Sequence, residues 1–122
     1  MNNISKGKAG EALAAGYLKK HKYKILDTNF KTKLGEIDIV ALDKSNKKMP
    51  YVVFVEIKTR ASNIYGLPSE AVNISKQKKL TLVAEQYILK NKLFYGLMRF
   101  DVIEVVENDI RHIKNAFDAL YD

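Results

Sequence analysis

The chain of 122 residues has no cysteine, so neither a disulfide framework nor a thiolate zinc site is open to it, and nothing in it calls for an oxidising compartment. Its two histidines, His21 and His112, lie far apart on unrelated segments, which argues against a histidine zinc centre. No apolar run approaches the length of a membrane span, and no apolar stretch of signal-peptide length follows Lys6 and Lys8. A cytoplasmic protein without a membrane partner is therefore expected. Arginine is scarce: of the 21 basic residues only Arg60, Arg99 and Arg111 are arginine, which favours point contacts with phosphate over bidentate reading of base edges. Repeats, low-complexity tracts and linkers are also lacking, so residues 1–122 read as one domain, long enough to bury a core without staples.

Positive charge is in excess. The formal net charge is +7, and it is unevenly placed. Residues 101–122 hold six acids against Arg111 and Lys114 alone, while the first 100 residues hold 19 basic groups against eight acids. That suggests a polyanion partner for the basic part, most simply nucleic acid.

Two apolar runs carry the centre of the chain. Gly35 to Ala41 and Tyr51 to Arg60 read as strands joined through the polar loop from Asp43 to Pro50. The second opens with Tyr51-Val52-Val53-Phe54-Val55, apolar on both faces, and so belongs inside a sheet, yet it closes in charge. Side chains alternate along a strand, which puts Val52, Phe54, Glu56 and Lys58 on one face and Val53, Val55 and Ile57 on the other. The same parity groups Glu36, Asp38 and Val40, with Ile37, Ile39 and Ala41 behind them. Antiparallel pairing then brings Asp38 near Glu56. Two carboxylates about 5 Å apart repel by roughly 3 kcal/mol at an effective dielectric near 20, so a cation must lie between them or one must keep its proton. A divalent ion with oxygen ligands meets that need.

The remaining elements frame this pair. Residues 4–22 read as a helix capped by Ser5, with Leu13, Ala14, Tyr17 and Leu18 as its stripe, Glu11 at the stripe's border, and Ala14-Ala15-Gly16 allowing close approach to a sheet. Tyr23 to Phe30 reads as an edge strand, and residues 61–68 as a connector overhanging the charged strand end. A second helix runs from about Ser75 to Asn91, burying Leu80, Val83, Ala84, Tyr87 and Ile88. Lys76 points toward the sheet, and Lys76, Lys78 and Lys79 oppose the helix dipole. Leu97 to Val106 is a strand, turned by Glu107-Asn108-Asp109 into Ile110 to Lys114, with His112 a surface residue and Asn115 to Asp122 a terminal helical turn.

Phosphodiester hydrolysis needs a hard cation and a positive group for developing charge. Asp38, Glu56 and the backbone carbonyl of Ile57 are the candidate ligands for Mg²⁺ or Mn²⁺. Lys58 is placed to position the nucleophile, and Glu11 to complete the cation's shell. Lys76, Lys31, Lys33, Arg60, Lys78 and Lys79 are the candidate phosphate contacts.

Several stretches are familiar: Lys8-Ala9-Gly10-Glu11, Gly35-Glu36-Ile37-Asp38, Phe54-Val55-Glu56-Ile57-Lys58-Thr59-Arg60, Gly66-Leu67-Pro68-Ser69-Glu70-Ala71-Val72, Lys76, and Arg99-Phe100-Asp101-Val102-Ile103. On these the chain resembles the restriction-endonuclease-like PD-(D/E)XK nucleases, and nearly end to end it resembles the bacterial YraN family. The resemblance implies an α/β fold with a central mixed sheet of about five strands flanked by helices, and a kinship with archaeal Holliday-junction resolvases. It also implies Glu11, Asp38, Glu56 and Lys58 as active-site residues; junction-cutting relatives act as dimers, and an edge strand or Leu93-Phe94-Tyr95 would supply contact for a homodimer, though the sequence leaves the oligomeric state open. Two departures stand out: Ile37-Asp38 replaces the signature's Pro-Asp, and Lys31 stands where relatives often carry arginine. The expected function is a divalent-metal-dependent nuclease acting on DNA, with branched or structured DNA among the candidate substrates; the alternative is a nucleic-acid-binding protein that keeps the fold without hydrolysis.

Overall fold

Three successive strands form an antiparallel meander: β1 (Tyr23–Thr32), β2 (Gly35–Asp43) and β3 (Tyr51–Arg60). The helix α2 (Ile74–Asn91) then carries the chain back, so that β4 (Leu97–Val106) pairs parallel to β3, and β5 (Asp109–Phe117) returns antiparallel to β4. The sheet order is β1-β2-β3-β4-β5, preceded in the chain by the helix α1 (Lys6–Lys20). This computed structural model describes residues 6–45, 47–60, 72–93 and 97–121; expectations for Ser5, for the 61–68 connector and for Phe94 and Tyr95 lie outside the described residues.

The fold is α/β, with a five-stranded mixed sheet and a helix on each face. A parallel pair requires a crossover, and here α2 is that crossover. β3 is apolar on both sides because both sides are covered. Val52 and Phe54 pack with Leu80, Val83, Ala84 and Tyr87 of α2, whereas Val53 and Val55 pack with Ala14 and Leu18 of α1. The alternation expected for β3 is therefore observed. Among the described residues no helix is long and apolar enough to cross a membrane.

Asn73 caps α2 by accepting the Lys76 N–H at 2.9 Å, and Lys92, in a left-handed conformation (φ 55°), ends it. Helix α1 approaches β3 at Gly10, where an added Cβ would collide with the Thr59 hydroxyl; in Ala14-Ala15-Gly16 the approach to the sheet is made by fully buried Ala14, while nothing lies within 4 Å of a Cβ at Gly16. Leu13, expected in the buried stripe, is 39% exposed.

The C-terminal stretch differs from expectation. β5 runs on to Phe117 and no helical turn follows. Phe117 pairs with Phe100, their rings stacked at 4.9 Å, while left-handed Asn115 (φ 53°) gives its N–H to Asp101 at 3.0 Å. Those two contacts hold the segment extended against whatever helical preference it has.

Candidate functional site

The ladder between β2 and β3 extends only to the pair Ile39 and Val55. One residue further Asp38 faces Glu56, and in place of a ladder bond the Asp38 Oδ2 accepts the Ile57 N–H at 2.8 Å. In a strand the N–H and C=O of one residue point to the same side, so the Ile57 carbonyl opens onto the same gap. On the other side, β1 pairs through Thr28–Ile39 and Phe30–Ile37. Asn29 between them takes a left-handed conformation (φ 54°). The chain turns over at Asp38: Ile37 joins Val40 and Phe54 in the α2-side core, and Glu36 lines a groove on the α1 side. The simple parity of the sequence fails at these two residues, because the Asp38 carboxylate replaces the backbone as hydrogen-bond partner of β3.

Burial is the main force on Asp38, and the neighbouring Glu56 carboxylate adds to it. Against the opposing Ile57 N–H they push the Asp38 carboxyl up to about 7. Glu56 is 6% exposed and lies between two ammonium groups, Lys58 Nζ at 3.5 Å and Lys76 Nζ in direct ion-pair contact. Burial alone would lower the Lys76 pKa. Its hydrogen bond and charge pairing with Glu56 outweigh that and hold it above the usual lysine range. Lys76 thus points toward the sheet, as its position four residues before Leu80 implied.

The donors at this gap are hard oxygens: two carboxylates and a backbone carbonyl. They suit Mg²⁺ or Mn²⁺ in kind, and the proton favoured on Asp38 near neutrality occupies the electrostatic role a cation would fill. Among the described residues, however, no three acidic or histidine side chains gather into a metal-binding group. Glu11 is the reason. Its Oε1 accepts the Asn29 side-chain amide at 2.7 Å, in a groove of about 470 Å³ on the α1 face shared with Lys8, Lys31 and Glu36. Since Asn29 stands opposite Asp38, Glu11 braces the backbone behind the pair from the far face of the sheet.

The basic residues also divide. Lys31, Lys33 and Lys79 are exposed and Lys78 is half-buried. Arg60, expected among the phosphate contacts, directs its Nε to Glu104 at 2.6 Å, and Arg111 approaches the same carboxylate at 3.4 Å. Glu104 is 1% exposed, so both arginines balance a buried charge.

A polar network on the α1 face escaped the sequence reading. Arg99 binds Asp101 through Nε at 2.8 Å, Asp43 at 2.9 Å and the Tyr23 hydroxyl at 2.8 Å, between the rings of Tyr23 and Tyr51. His112, expected on the surface, has a side chain only 4% exposed; its Nε2 lies 2.7 Å from Asp101 and its Nδ1 3.1 Å from the Tyr17 hydroxyl. Burial works to raise the pKa of Asp101, but the hydrogen bonds from His112 and Arg99 hold it below the usual carboxylate range. The available signal was an acid and a base, Arg99 and Asp101, on one side of a strand with an apolar interior.

Against known proteins, the profile described as "Uncharacterised protein family UPF0102" matches residues 10–105. A UPF0102 protein of Clostridium botulinum strain 657 is 49% identical over 121 residues, covering 91% of this chain and 92% of the relative. Another, from Caldanaerobacter subterraneus subsp. tengcongensis, is 46% identical over 124 residues, covering 96% of this chain and 98% of the relative. With the profile matching most of the chain and the relatives aligned nearly end to end, the chain belongs to the UPF0102 family, the YraN proteins its motifs resemble.

Proposed function

We propose that the protein is a divalent-metal-dependent nuclease that hydrolyses phosphodiester bonds in DNA. The observation that carries this reading is the carboxylate pair Asp38 and Glu56 at an opening in the sheet, with one carboxyl pushed up to about 7 and two lysines on the other. Perturbed acids collected beside compensating cations are typical of reacting sites. Asp38, Glu56 and the Ile57 carbonyl are the groups that would hold the ion. When bound, Mg²⁺ or Mn²⁺ would supply Lewis acidity at a phosphoryl oxygen and a bound water more acidic than bulk water. The Ile57 N–H fixes one Asp38 oxygen and so orients the other. Lys58, 29% exposed, and Lys76, 40% exposed, present ammonium groups where negative charge accumulates on the phosphate as the nucleophile adds.

The test is a cleavage panel of duplex, single-stranded and four-way-junction DNA with Mg²⁺ or Mn²⁺. Metal-dependent cutting of at least one substrate is expected, abolished by Asp38→Ala and by Lys58→Ala. Equal cleavage by those variants and the parent would assign the activity to a contaminant and end the reading.

One observation favours a second reading, a nucleic-acid-binding protein that does not hydrolyse: the third carboxylate, Glu11, is engaged by Asn29 on the opposite face. It predicts salt-dependent DNA binding that survives Asp38→Ala, with no metal-dependent cutting by the parent protein.

A further inference from the structure

At the far end of α2 from Lys76, a groove of about 510 Å³ lies between that helix and the end of β1. Lys31, Lys33 and Lys90 line it together with Gln86, Phe30 and Leu89, and no acid does. The Lys90 ammonium sits over the Phe30 ring at 5.6 Å from its centroid, and Leu89 is 64% exposed. Among the described residues none of the three lysines is in an ion pair. Lys90 gains from the Phe30 ring and from the end of the α2 dipole, and Lys31 stands across from Glu36, but folding offers no such return for Lys33 beside two like charges and an exposed leucine.

We propose that this groove is a second nucleic-acid contact, gripping the backbone of the strand whose phosphate is engaged at Asp38 and Glu56. The inference rests on the nucleic-acid reading above and extends it to a place. Helix α2 and the sheet link the two sites: Lys76 at the first turn of α2 contacts Glu56 and Lys90 at its last turn lines the groove, while in β1 Phe30, which also lines it, follows Asn29 opposite Asp38, so the groove begins one strand spacing, about 5 Å, from the pair. The lysines supply phosphate contacts, and the apolar surface of Leu89 and Phe30 suits sugar or base faces. A second copy of the chain fits less well, because a two-fold contact would set these three lysines against their own images.

The experiment measures equilibrium binding of fluorescein-labelled DNA over a salt series, for the parent protein and for the double variant Lys33→Gln/Lys90→Gln. The parallel control is Lys19→Gln/Lys20→Gln at the end of α1. Loss of two phosphate contacts is expected to reduce the slope of log K against log salt by about 2 in the groove variant and to leave it unchanged in the control. Binding by the parent with an unaltered slope in the groove variant would overturn the groove and leave the nuclease reading standing. Equal losses in groove and control variants would overturn it as diffuse attraction. Groove-dependent binding to phosphatidylserine vesicles with unchanged DNA binding would assign the surface to membranes instead. Absence of any DNA binding by the parent would overturn both readings.

Discussion

At Asp38 the folded state holds a proton longer than the unfolded chain does, because burial and the Glu56 carboxylate both oppose ionisation. An acid whose pKa rises on folding from 3.8 to about 7 binds more protons folded than unfolded between those values. Its contribution to stability is therefore fully present below about pH 4 and is lost as the pH climbs through about 7. Asp38→Asn keeps the shape and deletes the titration. Thermal melts should show the variant more stable than the parent at pH 8, by about 1–2 kcal/mol, with little difference at pH 4. An equal offset at both pH values would contradict the shift. Asp43 and Asp101 work in the opposite sense. Their carboxyls lie below the usual range, chiefly because Ser45, His112 and Arg99 outweigh the effect of burial, so their contribution is lost only as the pH falls through those lowered values. At this scale the sequence was informative where parity sufficed: Asp38, Glu56, Lys58 and Lys76 were identifiable from alternation and helical spacing. The placements of Glu11 and His112 were not, because they are set by distant partners, Asn29 for the one and Asp101 and Tyr17 for the other, that no local pattern reveals.

Among the elements, the contact of α1 with β3 turns on a missing side chain. Gly10 lets the helix lie against Thr59, and an alanine there would overlap the hydroxyl. Helix propensity favours Gly10→Ala by up to about 1 kcal/mol, but overpacking of this kind costs about 1–3 kcal/mol, so net destabilisation is expected. Urea denaturation should recover much of the loss in Gly10→Ala/Thr59→Ala, which removes the obstructing oxygen; failure of that rescue would place the strain elsewhere. The strands themselves were legible, β3 and β4 to the residue, from their apolar runs and the polar turns beside them. The last strand was less so. Asn115 to Phe117 is held straight by Phe100 and Asp101, two residues of another strand, and nothing local marks it as extended.

For the molecule as a whole, one sheet with a helix on each face followed from the order of the elements, whereas the placement of charge across it did not. The sheet order puts β1 and the lysines of α2 toward one edge and β5, with exposed Glu107, Asp109 and Asp118 near it, at the other. The imbalance along the chain thereby becomes an electric dipole across the width of the protein. In the field of a polyanion such a dipole feels a torque, turning the β1 side forward before contact and biasing collisions toward productive ones. Stopped-flow association with DNA should accordingly slow steeply as salt rises from about 50 to 200 mM. An association rate indifferent to salt would mean that chance orientation, and not this lopsided field, governs the encounter.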